Sequence, residues 1–401
     1  MLRSPFAFYR GGAAVMAADL AGTPAAGIEV QLCGDAHLAN FGVFSAPDRR
    51  LVFDCNDFDE TAPGPFEWDV KRLAASVAIA GRERGLGRRE RRKAVLGSVA
   101  SYRTSMRRFA AMRDIDVWYA RIDVESRLAE FSAHLDSKHL QRIERGVAKA
   151  KSKDSLRAAR KLTQATEDGL RIAGDPPLIT PLEELTEGAE AREQLETLLA
   201  EYRTSLTGAH SHIAGAYRYV HAARKVVGVG SVGTRSWIVL LVGRDSEDPL
   251  FLQAKEAQAS VLEPHTRKSR FRHHGRRVVE GQRLMQAAGD IFLGWVSATG
   301  LDGSSRDFYV RQLWDGKGSA DIERMSADEL GVYSALCGGT LARAHARSGD
   351  RIAVAAYLGG GEVFDEAIAD FAETYADQNE RDFEAAELAA SKGRIAVEVG
   401  V

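Results

Sequence analysis

Five short stretches rich in β-branched and aromatic residues crowd into one part of this 401-residue chain. They are Tyr219 to Val227, Trp237 to Val242, Leu250 to Ala254, Phe292 to Val296 and Phe308 to Leu313. Turn signals separate them, as they separate the strands of a sheet, and one helical stretch near Arg276 to Ala288 interrupts the series after the third. Elsewhere the apolar spacing is mostly helical. An α+β fold follows, with a β-rich unit set against helical mass. Between the first two strands lies Gly228-Val229-Gly230-Ser231-Val232-Gly233. A lone G-x-G-x-x-G says little without its context. A dinucleotide-binding version runs from a strand into a helix, whereas here Arg235 to Val242 reads as a second strand. Strand, glycine loop, strand is a hairpin whose bare backbone can approach phosphates. The next strand ends in Phe251-Leu252-Gln253-Ala254-Lys255, with one lysine in an apolar run. A buried lysine needs an anion. Glu280, on the following helix, is the carboxylate expected to hold it.

The N-terminal quarter carries a second pattern. Residues 5 to 21 read as a helix with a weak point at Gly11-Gly12, and Ile28 to Leu32 as a strand. That strand runs into Cys33-Gly34-Asp35-Ala36-His37-Leu38-Ala39-Asn40. An aspartate five residues before an asparagine suits phosphoryl transfer: Asp35 can orient a nucleophile and Asn40 can hold a metal ion bridging phosphates. Strands Phe41 to Phe44 and Leu51 to Phe53 follow, joined by a turn at Pro47-Asp48-Arg49-Arg50. They lead to Asp54, Asp57, Asp59 and Glu60. Such carboxylate density repels itself unless a cation offsets it, and oxygen donors alone suit Mg²⁺ or Mn²⁺. From about 69 to 217 the pattern is helical, with Ile172 to Leu182 as its clearest loop, and it is helical again from Ala327.

Other classes lose support. The formal net charge of −2 gives no general attraction to nucleic acid or anionic membrane. Three cysteines, Cys33, Cys55 and Cys337, form neither a disulfide framework nor a paired metal motif. No apolar run is long enough to span a bilayer and the first residues show no signal-peptide pattern, so the expectation is a cytoplasmic protein. G-x-S-x-G and H-E-x-x-H are both missing. His210-Ser211-His212 and His273-His274 lack metal spacing. The basic run Arg82 to Lys93 reads as a solvated helix face, while Arg267 to Arg277 sits where an anionic substrate would be met.

These motifs carry a resemblance. Cys33 to Asn40 resembles the H-G-D-x-H-x-x-N loop of aminoglycoside-phosphotransferase-like kinases, with Cys33 in place of the leading histidine. Asn56-Asp57-Phe58-Asp59 resembles their metal-binding strand end, and Trp68-Asp69-Val70-Lys71-Arg72-Leu73-Ala74 the helix start that follows. More closely, nearly the whole chain resembles the bacterial family called domain of unknown function 2252. Its hallmarks stand here as Ser4-Pro5-Phe6-Ala7-Phe8, Cys33 to His37, Asn56 to Glu60, Val227 to Thr234 and Ala344-His345-Ala346-Arg347-Ser348-Gly349-Asp350.

The resemblance implies a bilobal kinase-like fold in a rotated order, with the catalytic loop before the glycine loop. A circular permutation explains this, since domain termini commonly lie close together. It divides the chain into a catalytic-loop and metal-binding segment (1–75), a helical part of the large lobe (76–217), a five-stranded nucleotide-binding lobe (218–320) and C-terminal helices on the large lobe (321–401). It implies ATP and Mg²⁺ as cofactors. Asp35, Lys255 and Glu280 are the catalytic set, and Asn40, Asp57 and Asp59 the metal ligands. Gly228, Gly230, Ser231, Gly233 and Lys255 bind the nucleotide, with Arg311, Gln312 and Leu313 toward its base. The acceptor, a small molecule or a protein, is not identified. The alternatives are a kinase-like regulatory module without turnover, a transferase of AMP, and a metal-dependent hydrolase using Asp35, His37, Asp54 and Asp57.

Overall fold

A computed structural model describes residues 1–126, 137–152, 155–166, 169–185, 189–226, 235–299, 303–313 and 316–395. The expected first helix is two, α1 (Pro5–Arg10) and α2 (Ala13–Ala21). Ser4 caps α1 by accepting the Ala7 N–H, and Pro5 suits its first turn. Gly11 ends it, its N–H turned back to the Phe8 carbonyl. Strand β1 (Glu29–Leu32) pairs with β4 (Ala62–Pro65), and β2 (Phe41–Ser45) with β3 (Leu51–Cys55), all antiparallel. Helices α3 (Phe66–Glu83), α4 (Arg88–Ala110) and α5 (Asp114–Tyr119) follow, then β5 (Ile122–Asp123), which joins β3.

The stretch expected to be helical up to 217 is mixed. It contains α6 (Ser137–Lys151), α7 (Ser155–Leu162), the hairpin β6 (Thr163–Thr166) with β7 (Gly169–Ile172), then β8 (Ile179–Pro181), α8 (Ala189–Thr204) and α9 (Gly208–Gly215). Strands of two to four residues are too short to show a period, which is why the sequence pattern passes over them. Next come β9 (Arg218–Lys225), β10 (Ser236–Val242), β11 (Pro249–Ala257), α10 (His274–Met285), β12 (Gly294–Thr299), β13 (Ser305–Gln312) and β14 (Gly318–Ser319). Three helices close the chain: α11 (Ala327–Ser348), α12 (Arg351–Leu358) and α13 (Val363–Ser391).

The chain is thus a mixed α+β protein with several antiparallel sheets. Its main sheet runs β12-β13-β11-β10-β9-β8, with six strands where the sequence suggested five, the sixth being β8. Both faces are covered. Leu250 and Leu252 of β11 join Val310, Tyr202 and Leu206 on the face under α8. Phe251 joins Ile238, Leu240 and Leu313 on the other, beneath Ala158, Ala159 and Leu162 of α7 and Ile172 of β7. Helix α7, strand β7 and the end of α8 therefore pack on the sheet. Alternation along β11 puts Gln253 and Lys255 on the Phe251 face. Lys255 lies opposite Tyr309 and Gln253 opposite Arg311 in β13.

The helical body is built around α3 and α11. Helix α3 is buried from Phe66 through Val70 and again from Arg72 to Gly81. A capping box at Ser326 and Glu329 starts α11, which lies against α4. The two approach closely at Gly338, where a Cβ would fall 2.1 Å from the Ser98 carbonyl oxygen. Ser98 donates to the Ser334 carbonyl and Ser334 to that of Ala94, so small residues draw the pair together. Among the described residues, no helix is long and apolar enough to cross a membrane.

Candidate functional site

The loop after β1 is bolted from behind. Gly34 adopts φ 86°, and a Cβ there would lie 2.2 Å from the Glu60 carbonyl oxygen, so glycine is required. Asp69, in the first turn of α3, accepts the N–H groups of Cys33 at 2.8 Å and Gly34 at 3.1 Å. The same carboxylate receives His345 Nε2 of α11 at 3.1 Å, and His345 Nδ1 meets the Tyr102 hydroxyl of α4 at 2.9 Å. The Asp69 carboxylate accepts here, so Nε2 carries a proton, and the Tyr102 hydroxyl holds the other ring nitrogen. Three helices thereby hold two backbone amides beside Asp35. The end of α11 also reaches β1, with Gly349 against Val30 and Glu29.

Asp35 is oriented by two partners. Arg72 places Nε at 2.9 Å and NH2 at 2.8 Å from Oδ1, and its guanidinium lies 3.9 Å from the centre of the Tyr9 ring. His37 Nε2 is 3.5 Å from Oδ2. Burial lowers the His37 pKa to about 4, against the field of Asp35, so the ring is neutral near pH 7. Its Nδ1 accepts the Ala39 N–H, which leaves the proton on Nε2, facing Asp35. Asn40 closes the loop by donating Nδ2 to the Asp35 carbonyl at 2.7 Å.

The acidic strand end separates into different tasks. Asp54, 2% exposed, pairs with Arg343 of α11, whose NH1 also donates to the Met285 carbonyl at the end of α10. Burial raises the Asp54 pKa against the pull of Arg343. Among the described residues no three His, Cys, Asp or Glu side chains form a metal-binding group, and the hydrolase grouping loses Asp54 to this pair. Asp57 Oδ1 accepts the Asp59 N–H at 3.2 Å. Asp59 forms an ion pair through Oδ2 with Lys255 and accepts the Tyr309 hydroxyl on Oδ1 at 2.7 Å. Burial works to lower the Lys255 pKa, but the fields of Tyr309, Asp59 and Asp57 outweigh it and the net shift is upward, so the ammonium persists. Arg277 fastens this corner by donating to the carbonyls of Asp59, Thr61 and Gln258 at 2.7 to 2.8 Å.

Two expectations need correction. Glu280 does not hold Lys255. Its ion pairs are with Arg283 at 3.6 Å and Arg276 at 4.0 Å on its own helix, because β11 brings Lys255 to the strand end after β3 instead. Asp59 is not open to a metal in this arrangement, since both carboxylate oxygens are engaged. Of the base-side residues, Arg311 and Gln312 line a cleft, while Leu313 turns into the core beside Phe251. Gly228, Gly230, Ser231 and Gly233 lie outside the described residues. Tyr309, Arg72, Arg277 and Tyr102 escaped the sequence reading. Arg72, Arg277 and Tyr309 stood inside recognised stretches, but nothing local marks any of them as a partner of Asp35 or Asp59.

Glu60 gives a pH-dependent prediction. Its Oε2 accepts the Val261 N–H at 2.7 Å, and burial pushes its pKa up to about 7. A carboxyl whose folded pKa is raised costs stability as pH rises from its ordinary value, near 4.5, through about 7. Glu60→Gln keeps an acceptor and removes the charge. It is expected to stabilise the fold at pH 8 by on the order of 1–3 kcal/mol and to leave stability at pH 4.5 unchanged. Thermal melts at the two pH values check this. Equal effects at both would place the Glu60 carboxylate in solvent.

Comparison with known proteins gives one match. The model of a family described as "Uncharacterized protein conserved in bacteria (DUF2252)" matches residues 1–387. No curated protein matches the chain, and no solved structure does.

Proposed function

We propose, from the premise that this chain belongs to the bacterial family of domain of unknown function 2252, that it is an ATP- and Mg²⁺-dependent phosphotransferase of kinase-like, circularly permuted fold. The observation that carries this reading is the Lys255–Asp59 ion pair. It joins β11, the second strand after the glycine loop in sequence, to the acidic strand end, beside the loop holding Asp35 and Asn40. A cation and carboxylates meeting at one corner are what a nucleotide with its metal would need. The sheet order β9-β10-β11-β13-β12, with one helix after the lysine strand, and the packing of Gly349 on Val30 both agree with the rotated chain order.

In this reading Asp35, aimed by Arg72 and His37, orients the acceptor's hydroxyl or amine and takes its proton. The bond from the terminal phosphorus to the ADP oxygen breaks as the bond to the acceptor forms. Lys255 turns from Asp59 to the phosphates. The donor set fits Mg²⁺. Asn40 uses its amide nitrogen on the Asp35 carbonyl, which leaves the amide oxygen for a metal, and Asp57 retains its Oδ2. The Asn56 N–H on the Asn40 carbonyl, at 3.0 Å, sets the two ligands side by side. The metal, when bound, offsets charge on the transferring phosphoryl group.

Calorimetric titration with ATP tests the reading. Affinity is expected to be clearly higher with Mg²⁺ than in excess chelator. Equal affinities would remove the metal assignment, and no binding in either condition would remove the nucleotide reading.

A further inference from the structure

Arg311 sits in an unusual environment for a partly buried arginine. Arg72, Arg103 and Arg343 each meet a carboxylate, and Arg277 takes three carbonyl oxygens. Arg311 has two neutral hydrogen-bond partners, Gln253 Oε1 at 3.2 Å and the Asn56 carbonyl at 3.5 Å, and among the described residues it forms no direct ion pair, Asp57, Asp59 and Asp290 acting on it only through their field. Guanidinium groups drawn out of water ordinarily find an anion. Arg311 instead faces a cavity of about 180 Å³ between the β2–β3 turn, the end of α10 with the chain that follows it, and the end of β13.

The charged groups that line that cavity are mostly cationic. Arg49 and Lys317 join Arg311, against a single carboxylate, Asp290. The Asp290 oxygens already accept the N–H groups of Phe292 at 2.8 Å and Gln312 at 2.5 Å. Repulsion from Arg311, with burial, lowers the Lys317 pKa to about 7. An anion between the two cations would relieve that repulsion. Arg49 reaches the rim from a backbone with φ 66°, a conformation that disfavours arginine by about 1–2 kcal/mol. Phe44, Pro47 and Ile291 supply an apolar wall.

We propose that this cleft binds the phosphate or carboxylate group of a small organic molecule. Arg311 and Lys317 hold the anionic group, Arg49 closes the rim, and the apolar wall covers the rest of the ligand. The site stands on its own cavity and charges and not on the phosphotransferase reading.

Calorimetry with sulfate and with inorganic pyrophosphate tests it on the full chain and on Arg311→Gln, Lys317→Gln and, as a control, Arg113→Gln, an exposed cation paired with Asp116. The wild-type chain is expected to bind both probes. Either cleft variant is expected to weaken binding about tenfold or more, the loss of one charge-assisted contact, while Arg113→Gln stays within about twofold of wild type. Circular dichroism establishes that each variant is folded. If Arg311→Gln fails to fold, Lys317→Gln decides alone. The proposal is overturned if the wild-type chain binds neither probe, if the cleft variants bind like wild type, or if Arg113→Gln loses as much affinity as they do. Pyrophosphate binding without ATP binding would keep this site and remove the nucleotide reading. ATP binding with no loss in the cleft variants for either probe would do the reverse.

Discussion

Asp35→Asn is expected to lower phosphoryl turnover by about 10²- to 10⁴-fold while leaving ATP affinity within a few-fold. The asymmetry follows from position. Asp35 sits on the β1 loop, held by Arg72 and faced by His37, whereas the cation assigned to phosphate, Lys255, is on β11 and bound to Asp59. Removing the Asp35 charge takes away the acceptor's partner and touches no group assigned to the nucleotide. It does leave the Arg72 guanidinium short of an anion, although NH2 keeps the Tyr9 carbonyl at 2.7 Å and the ring of Tyr9 beneath it. Melting temperature and circular dichroism must therefore accompany the assay. A folded variant that no longer binds ATP would falsify the assignment, because Asp35 would then belong to the nucleotide site.

The largest effect on stability is expected from Arg343→Met, at about 3–5 kcal/mol. Arg343 and Asp54 are 2% exposed each, and the substitution leaves a buried carboxylate with only the Cys55 and Ala287 backbone N–H groups. It also removes the bond to the Met285 carbonyl that ties the end of α10 to α11. Burial already raises the Asp54 pKa and Arg343 opposes it, so losing Arg343 raises it further. A raised carboxyl is penalised above its ordinary pKa, so the destabilisation is expected to be larger at pH 8 than at pH 5. The double variant Arg343→Met with Asp54→Leu removes both charges and is expected to recover much of the loss. Chemical denaturation at the two pH values measures this. A double variant no more stable than Arg343→Met would show that the carbonyl bond, and not the stranded charge, is what matters.

Much of this was legible locally. The strands β9 to β13 declare themselves through β-branched and aromatic runs, and the helical N-terminus through its apolar repeats, although the weak point at Gly11-Gly12 proved to be a break between two helices. The tight loop at Gly34 is legible because a glycine beside an aspartate after a strand has few other uses. Lys255 is marked by its apolar neighbours. The short strand β8 was not legible, because its three residues complete no period. Nor was the fate of Asp54, which looks like its neighbours Asp57 and Asp59 and differs from them only in facing Arg343.

The sequence alone thus determined which residues are strand, helix and turn over most of the chain, and which charged groups must find partners. It did so because those preferences act over a few neighbouring residues. The tertiary structure decided the partners themselves. Lys255 reached Asp59, 196 residues away, and not the helix carboxylate Glu280, because the packing of β11 beside the loop after β3 sets which anion is nearest. Arg311, Lys317 and Arg49 came to one cleft for the same reason. A buried charge takes the closest acceptable counter-charge, and closeness between distant segments is a property of how whole elements pack.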